Sequence, residues 1–348
     1  MAVNMKKYLK SRAEKQKLFD NKEWYTIRSL LGNQWARYFV LIGARERGKS
    51  YSVQDYCLRQ RYTKGIPFYW MRLNDISINK MKQNNGAKIF EPLLIPKYKL
   101  TNIKVKGDFV YDSKGEVVCQ LLSLSTSFND KGSAIFDAST FNGCNIILDE
   151  FQFERKQKRT FDVIYNLKMQ IENICRSHSN NVRVFFIGNN TEECSDILSI
   201  FNFIPLQFGT YKLKNRHCVI DYIQNNKAYE TRRKHAIAND LDDGTSNFTN
   251  VIKRDLTLIT KERLFKPTTI IKFSKSENDW FTVWNNNVIN KYNKEQIGSI
   301  AMRRYIDDYF NTTLRDNVFD MYDARAYKFT SLIIQTQFNY QLSMLKGK

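Results

Sequence analysis

The sequence is short of acid. Thirty-five Asp and Glu stand against 55 Lys and Arg in 348 residues, a formal charge of +20. It has no apolar run approaching the roughly 18 residues that cross a bilayer. The basic N-terminus MAVNMKKYLKSRAEKQK has no apolar segment behind its lysines, so neither a membrane partner nor a signal peptide is expected, and a cytoplasmic protein is. Six cysteines (Cys57, Cys119, Cys144, Cys175, Cys194 and Cys218) form no C-x-x-C pair, which removes the zinc spacings and gives no disulfide framework. There is no internal repeat and no low-complexity tract.

What is present in excess is positive charge, spread along the whole chain. A polyanion is the natural partner, because each neutralised phosphate releases counterions and adds sequence-independent affinity. A lysine-rich surface without a partner is the plainer alternative.

Five short apolar runs read as strands buried on both faces: RYFVLIG (37–43), IPFYWMR (66–72), VVCQLLSLS (117–125), CNIILDE (144–150) and VRVFFIGN (182–189). Helical spacing appears between them at 50–65 and 161–178. Alternation of this kind predicts an α/β fold with a mainly parallel sheet covered on both sides. The polar stretch AIANDLDDGTSNFTN (236–250) is the best linker in the chain. The organisation expected is a basic arm over 1–36, a nucleotide-binding domain over 37–209, a linker region over 210–256 and a smaller α+β domain over 257–348.

Between the first strand and its helix lies IGARERGKS, whose G-x-x-x-x-G-K-S spacing is that of a phosphate-binding loop. Gly43, Ala44, Arg45, Glu46, Arg47 and Gly48 would present backbone N–H groups to a triphosphate, with Lys49 at its β- and γ-phosphates. The Ser50 hydroxyl would complete the shell of a Mg2+ ion. About a hundred residues on, NIILDE supplies Asp149 as a second metal-binding group and Glu150 as the base that polarises the attacking water. Asn189, at the end of the next strand, either senses the γ-phosphate or is a turn residue. Arg45 and Arg72 are placed near phosphates by the same topology. Arg176, in NICRSHSN at a helix end, either reaches a neighbouring subunit's nucleotide or is surface.

Together VLIGARERGKSYS, NIILDEF, ICRSHSNNVRVFFIGNN and ILSIFNFIPLQF resemble the DNA-packaging ATPases, or encapsidation proteins, of small short-tailed bacteriophages. These are terminase-like P-loop motors of the additional-strand, catalytic-glutamate type, and the likeness covers residues 37 to 210. It implies an ATP- and Mg2+-dependent ring, a pentamer, which acts at a capsid portal in the host cytoplasm, threads double-stranded DNA into a procapsid and is absent from the mature virion. By the same likeness Asn189 is the coupling position, Arg176 the arginine finger acting in trans, and Lys131 a second basic residue crossing the subunit interface. Lys80 and Lys82, after the second strand, and the run Arg155, Lys156, Lys158, Arg159 in ERKQKR are the candidates for DNA contact. A structural packaging RNA is a further partner that some relatives use.

The resemblance also implies a C-terminal domain of degenerate RNase H-like type. Its candidate first strand TTIIKFS has no acidic residue, and Asp307, Asp308, Asp316, Asp320 and Asp323 fall in a region read as helical. Three alternatives stay open: a headful terminase with an active nuclease, a small-molecule kinase, and a nucleic-acid-binding P-loop protein that is not a motor. A GTPase would carry Asn-Lys-x-Asp, and the chain has no such tetrapeptide.

Overall fold

The structure is a computed structural model. It describes residues 14, 16–130, 143–153, 160–176, 181–189, 195–205, 207–234, 236, 256–260, 267–273, 276–284, 287–293, 305–307 and 312–346. The chain divides into two compact units. The first comprises Met1–Lys156, Phe161–Thr191 and Pro205–Ile252; the second comprises Gln157–Thr160, Glu192–Ile204 and Lys253–Lys348.

The first unit is built on a nine-stranded sheet in the order β3-β4-β5-β2-β6-β7-β1-β9-β8. All five apolar runs form strands: β1 (Tyr38–Ile42), β2 (Phe68–Arg72), β5 (Val117–Ser123), β6 (Cys144–Asp149) and β7 (Val182–Gly188). These central strands are parallel to one another. Their aromatic and branched residues are buried on both faces, as in Phe39, Leu41, Ile146, Ile147, Phe185 and Phe186, which is why the runs are continuous rather than alternating.

Register decides where the chemistry falls. Ile42 pairs with Gly188, Asp149 with Ile187, and Met71 with Leu148. The carboxyl ends of β1, β2, β6 and β7 therefore reach one edge of the sheet, with β7 lying between β1 and β6. In open parallel sheets that edge is where ligands bind.

Two expected boundaries are corrected. The linker region proposed from residue 210 opens instead with sheet: β8 (Gly209–Leu213) and β9 (Cys218–Tyr222) form a hairpin, and β9 runs parallel to β1. A five-residue run such as CVIDY, flanked by Lys, Asn, Arg and His, is too short to show a period. A helix, Lys227–Arg233, follows it, and residues 237–255 lie outside the described residues. The N-terminal arm is likewise not a separate extension over its last part. Helix α1 (Arg28–Leu31) and the residue before it place Ile27 and Leu30 in the main core, each 2% exposed. Tyr25 donates to Asp221 Oδ2 at 2.8 Å, and Thr210 to Asp221 Oδ1 at 2.7 Å, fastening the arm to β8 and β9.

The hairpin β3 (Lys104–Lys106) and β4 (Phe109–Tyr111) finishes the far side of the sheet. Exposed Lys104 and Lys106 on the outermost strand guard it against further strand pairing.

The second unit has a five-stranded sheet in the order β13-β10-β11-β12-β14. β10 (Pro267–Lys272), β11 (Trp280–Trp284) and β12 (Val288–Lys291) form the antiparallel meander expected from sequence. β13 (Tyr305–Asp307) lies parallel to β10, and β14 (Lys328–Phe329) parallel to β12 at the opposite edge. Phe338, on the C-terminal helix Leu332–Lys346, is fully buried. Its ring centroid lies 5.2 Å from those of both Phe273 and Phe281.

Candidate nucleotide site

The turn from β1 into helix α2 (Lys49–Lys64) contains the whole loop. Gly48 caps the helix in the left-handed region at φ 89°, a conformation that costs an L side chain about 1–2 kcal/mol. Lys49, the first helical residue, turns its ammonium back under the loop. It donates to the carbonyls of Gly43 at 2.8 Å and Ala44 at 2.6 Å, and to Asn189 Oδ1 at 3.1 Å. The strand-end asparagine therefore touches the loop lysine across the β1–β7 pair.

Opposite the loop, Asp149 ends β6 almost fully buried, while the Glu150 carboxylate is exposed. Ser50 Oγ lies 3.4 Å from Asp149 Oδ1. Arg72, at the end of β2, bridges the two acids: its guanidinium is 2.9 Å from Asp149 Oδ2 and also pairs with Glu150 Oε2. Burial pushes the Asp149 carboxyl above its usual range, and the positive charge of Arg72 opposes this. Glu150 sits at φ 55°, a turn that swings its side chain off the strand axis and into the open. Behind it, Phe151 packs so close to Gly188 that a Cβ there would fall 2.7 Å from the ring. Glycine at 188 thus lets β6 and β7 end side by side.

Loop and acids share one cavity of about 730 Å³, lined by Arg45, Glu46, Gly48, Lys49, Ser50, Asp149, Glu150 and Asn189 among others. Its donor set fits a magnesium triphosphate. The hydroxyl and carboxylate of Ser50 and Asp149 are hard oxygen donors facing each other. A magnesium ion takes one or two such protein ligands and completes its shell with phosphate and water, so the absence of a cluster of three acidic, His or Cys ligands among the described residues does not oppose it.

The loop spacing assigns Arg47 only a backbone N–H, and its side chain has a separate task. Its side chain is 2% exposed, donates to Glu23 O at 2.8 Å and Lys22 O at 3.4 Å, and stacks over the Tyr229 ring. Arg47 therefore supports the loop through the preceding chain. Helix Lys227–Arg233 adds to this support. Tyr229 donates to Arg45 O at 3.0 Å and Arg232 to Glu46 O at 2.6 Å, while Arg233 pairs with the Glu46 carboxylate at 2.7 Å. Buried Asn226 caps that helix and also donates to Phe19 O and Lys22 O, at 2.6 and 2.7 Å. None of these supports has a motif signature.

The remaining candidates fall elsewhere. Lys80 is exposed on the helix after β2, and Lys82 pairs with Asp108 at 2.6 Å, both away from the cavity. Arg176 is exposed, follows helix Val163–Cys175, and precedes β7. It belongs to the amino end of the sheet, a strand length from the loop of its own chain. Lys131, Arg155, Lys156, Lys158 and Arg159 lie outside the described residues.

Lys49 gives the site a titration signature. Burial lowers its ammonium to about 7, with Asp149 acting against the shift and Arg45 and Arg47 with it. An unfolded lysine titrates near 10.4, so between about 7 and 10 the unfolded chain binds the extra proton and stability from this group rises with pH. A bound polyphosphate restores the charge. Nucleotide binding at pH 8 is therefore expected to take up protons and to weaken as pH rises further. Calorimetry in buffers of different ionisation enthalpy measures the uptake, and K49M should abolish it.

No protein-family model and no curated protein matches the chain. Among solved structures, "The Phi-28 gp11 DNA packaging Motor" superposes with a TM-score of 0.67 at 15% identity, covering 92% of this chain and 98% of that one. "The bacteriophage Phi-29 viral genome packaging motor assembly" does so with a TM-score of 0.59 at 16% identity over the same shares. The chain thus has the fold of these two packaging-motor structures over nearly its whole length.

Proposed function

We propose that this chain is an ATP-hydrolysing motor subunit that drives double-stranded DNA into a viral procapsid. One observation carries the reading: the loop around Lys49 and the acids Asp149 and Glu150 share one cavity, set by the register of β1, β7, β6 and β2. The fold likeness to two structures described as packaging motors supports the choice of polymer over a small substrate, as does the +20 charge.

In this mechanism the loop amides and Lys49 hold the triphosphate, and Ser50 and Asp149 would hold a Mg2+ ion, which would supply charge neutralisation at the transferring phosphoryl group. The exposed Glu150 carboxylate accepts the proton of the attacking water. Arg72 holds both acids at the strand ends, and Asn189 links the loop to β7. The chain works as a ring, a pentamer at the portal, in which Arg176 completes the neighbouring subunit's site. It is transient there, in the host cytoplasm. The second unit is read as a degenerate RNase H-like domain that contacts DNA or a packaging RNA, since β10 (PTTIIK) offers no acid for metal.

The test is Mg2+-dependent ATP turnover with and without linear double-stranded DNA. A several-fold rise on adding DNA is expected. Turnover indifferent to DNA and to its length would remove the motor reading and favour a small-molecule enzyme.

A further inference from the structure

The cavity is larger than its phosphate end needs. Beyond Gly48 and Ser50 it is lined by Trp24, Tyr51, Glu91, Pro92 and Leu93, none of which belongs to the phosphate motif or to the acids. Trp24 and Leu93 are large apolar side chains left 46% and 71% exposed. The exposure of Trp24 coexists with tight anchoring. The Arg232 guanidinium sits 4.0 Å from its ring centroid, and a Cβ on Gly48 would lie 3.3 Å from its Cε3. The following residue fixes the chain by donating Tyr25 N–H to Arg47 O at 3.0 Å. A rigid indole beside the phosphate loop, backed by a cation and open to the cavity, is a stacking platform.

Glu91 is held just as firmly. Buried Gln54 accepts from the Glu91 N–H at 2.9 Å and donates to Ile89 O at 3.0 Å, so one amide clamps both sides of the turn. The Glu91 carboxyl lines the cavity and pairs with no group among the described residues, and burial raises it above its usual range. An acceptor facing the cavity is free to take a donor from water or from a ligand seated there.

We infer that Trp24 and Leu93 are the two apolar walls of a subsite for the nucleoside of the bound nucleotide, with Glu91 accepting from its N–H or O–H donors. The inference rests on the nucleotide reading of the phosphate loop, and goes beyond it by assigning the other half of the ligand. The phosphate end recognises any triphosphate; this end distinguishes a nucleoside from none.

Binding of ATP and of inorganic tripolyphosphate to the full chain, by calorimetry in Mg2+, tests it. Wild-type protein should bind ATP more tightly than tripolyphosphate. W24A should lose roughly ten- to a hundredfold in ATP affinity, the range of a lost base–aromatic stack, with tripolyphosphate affinity unchanged and W24F restoring most of the loss. E91Q should weaken ATP several-fold and again spare tripolyphosphate. Equal loss for both ligands in W24A would mean that Trp24 only braces the loop, and overturns the inference. ATP affinity unaffected by W24A and E91Q overturns it too. Wild-type protein that binds tripolyphosphate as tightly as ATP removes the nucleoside subsite and leaves the phosphate reading standing; protein that binds neither removes both.

Discussion

Replacing Glu150 by glutamine is expected to cut ATP turnover by ~10² to 10⁴-fold, the range a positioned general base supplies, while nucleotide still binds. The two effects separate because of geometry. Glu150 touches neither the loop nor Lys49. Its carboxylate reaches into the cavity from the left-handed turn after β6 and meets only the Arg72 guanidinium among the described residues. The amide keeps the size of the side chain and removes the proton acceptor. Its backbone conformation is unchanged, so folding should be unaffected, and Asp149 keeps its own contact with Arg72 at 2.9 Å. Equilibrium binding of ATP together with single-turnover hydrolysis would show the split; turnover equal to wild type would give the water-activating role to another group.

A comparable loss, ~10³ to 10⁵-fold, is expected for R176A in the DNA-stimulated reaction, as when an arginine finger is removed. Arg176 cannot act on its own loop. β7 is seven residues long, about 23 Å at strand rise; Arg176 precedes its beginning, and Asn189 follows its end. In the proposed ring a guanidinium there would serve a site presented by another copy. The residue is exposed, and exposed substitutions of this kind usually change stability by about 0.5 kcal/mol or less, so lost turnover will not be unfolding. Mixtures of wild-type and R176A chains should lose activity more steeply than the variant fraction. A loss strictly proportional to that fraction would mean that each subunit fires alone.

The sheet was legible where its strands are buried on both faces. Runs such as FYWMR and NIILD need no alternation to be recognised, and the loop between β1 and α2 carries its own spacing. The acids followed from the same logic, because a strand end in a parallel sheet is a ligand edge. Hairpin β8–β9 was not legible: its outer strand GTYKL is half solvated and its inner one is five residues long. The supports of the loop were hidden for a different reason. Arg47 reaches Lys22 and Glu23, Tyr229 reaches Arg45 and Arg232 reaches Glu46 across sequence distances that carry no periodic or motif signal. The outward turn of Glu150 and its bridge to Arg72 are likewise three-dimensional facts.

The way Arg47 is used has a consequence for trimmed versions of the protein. A chain cut to start at Trp35 would retain every letter of the phosphate signature and all five central strands, yet its Arg47 would lose the carbonyls of Lys22 and Glu23. The turn would then lose the strap of chain that Arg47 and the Tyr25 N–H bind to it. Such a shortened protein would pass any motif scan and still grip nucleotide poorly, so the smallest competent unit begins upstream of the letters that advertise it.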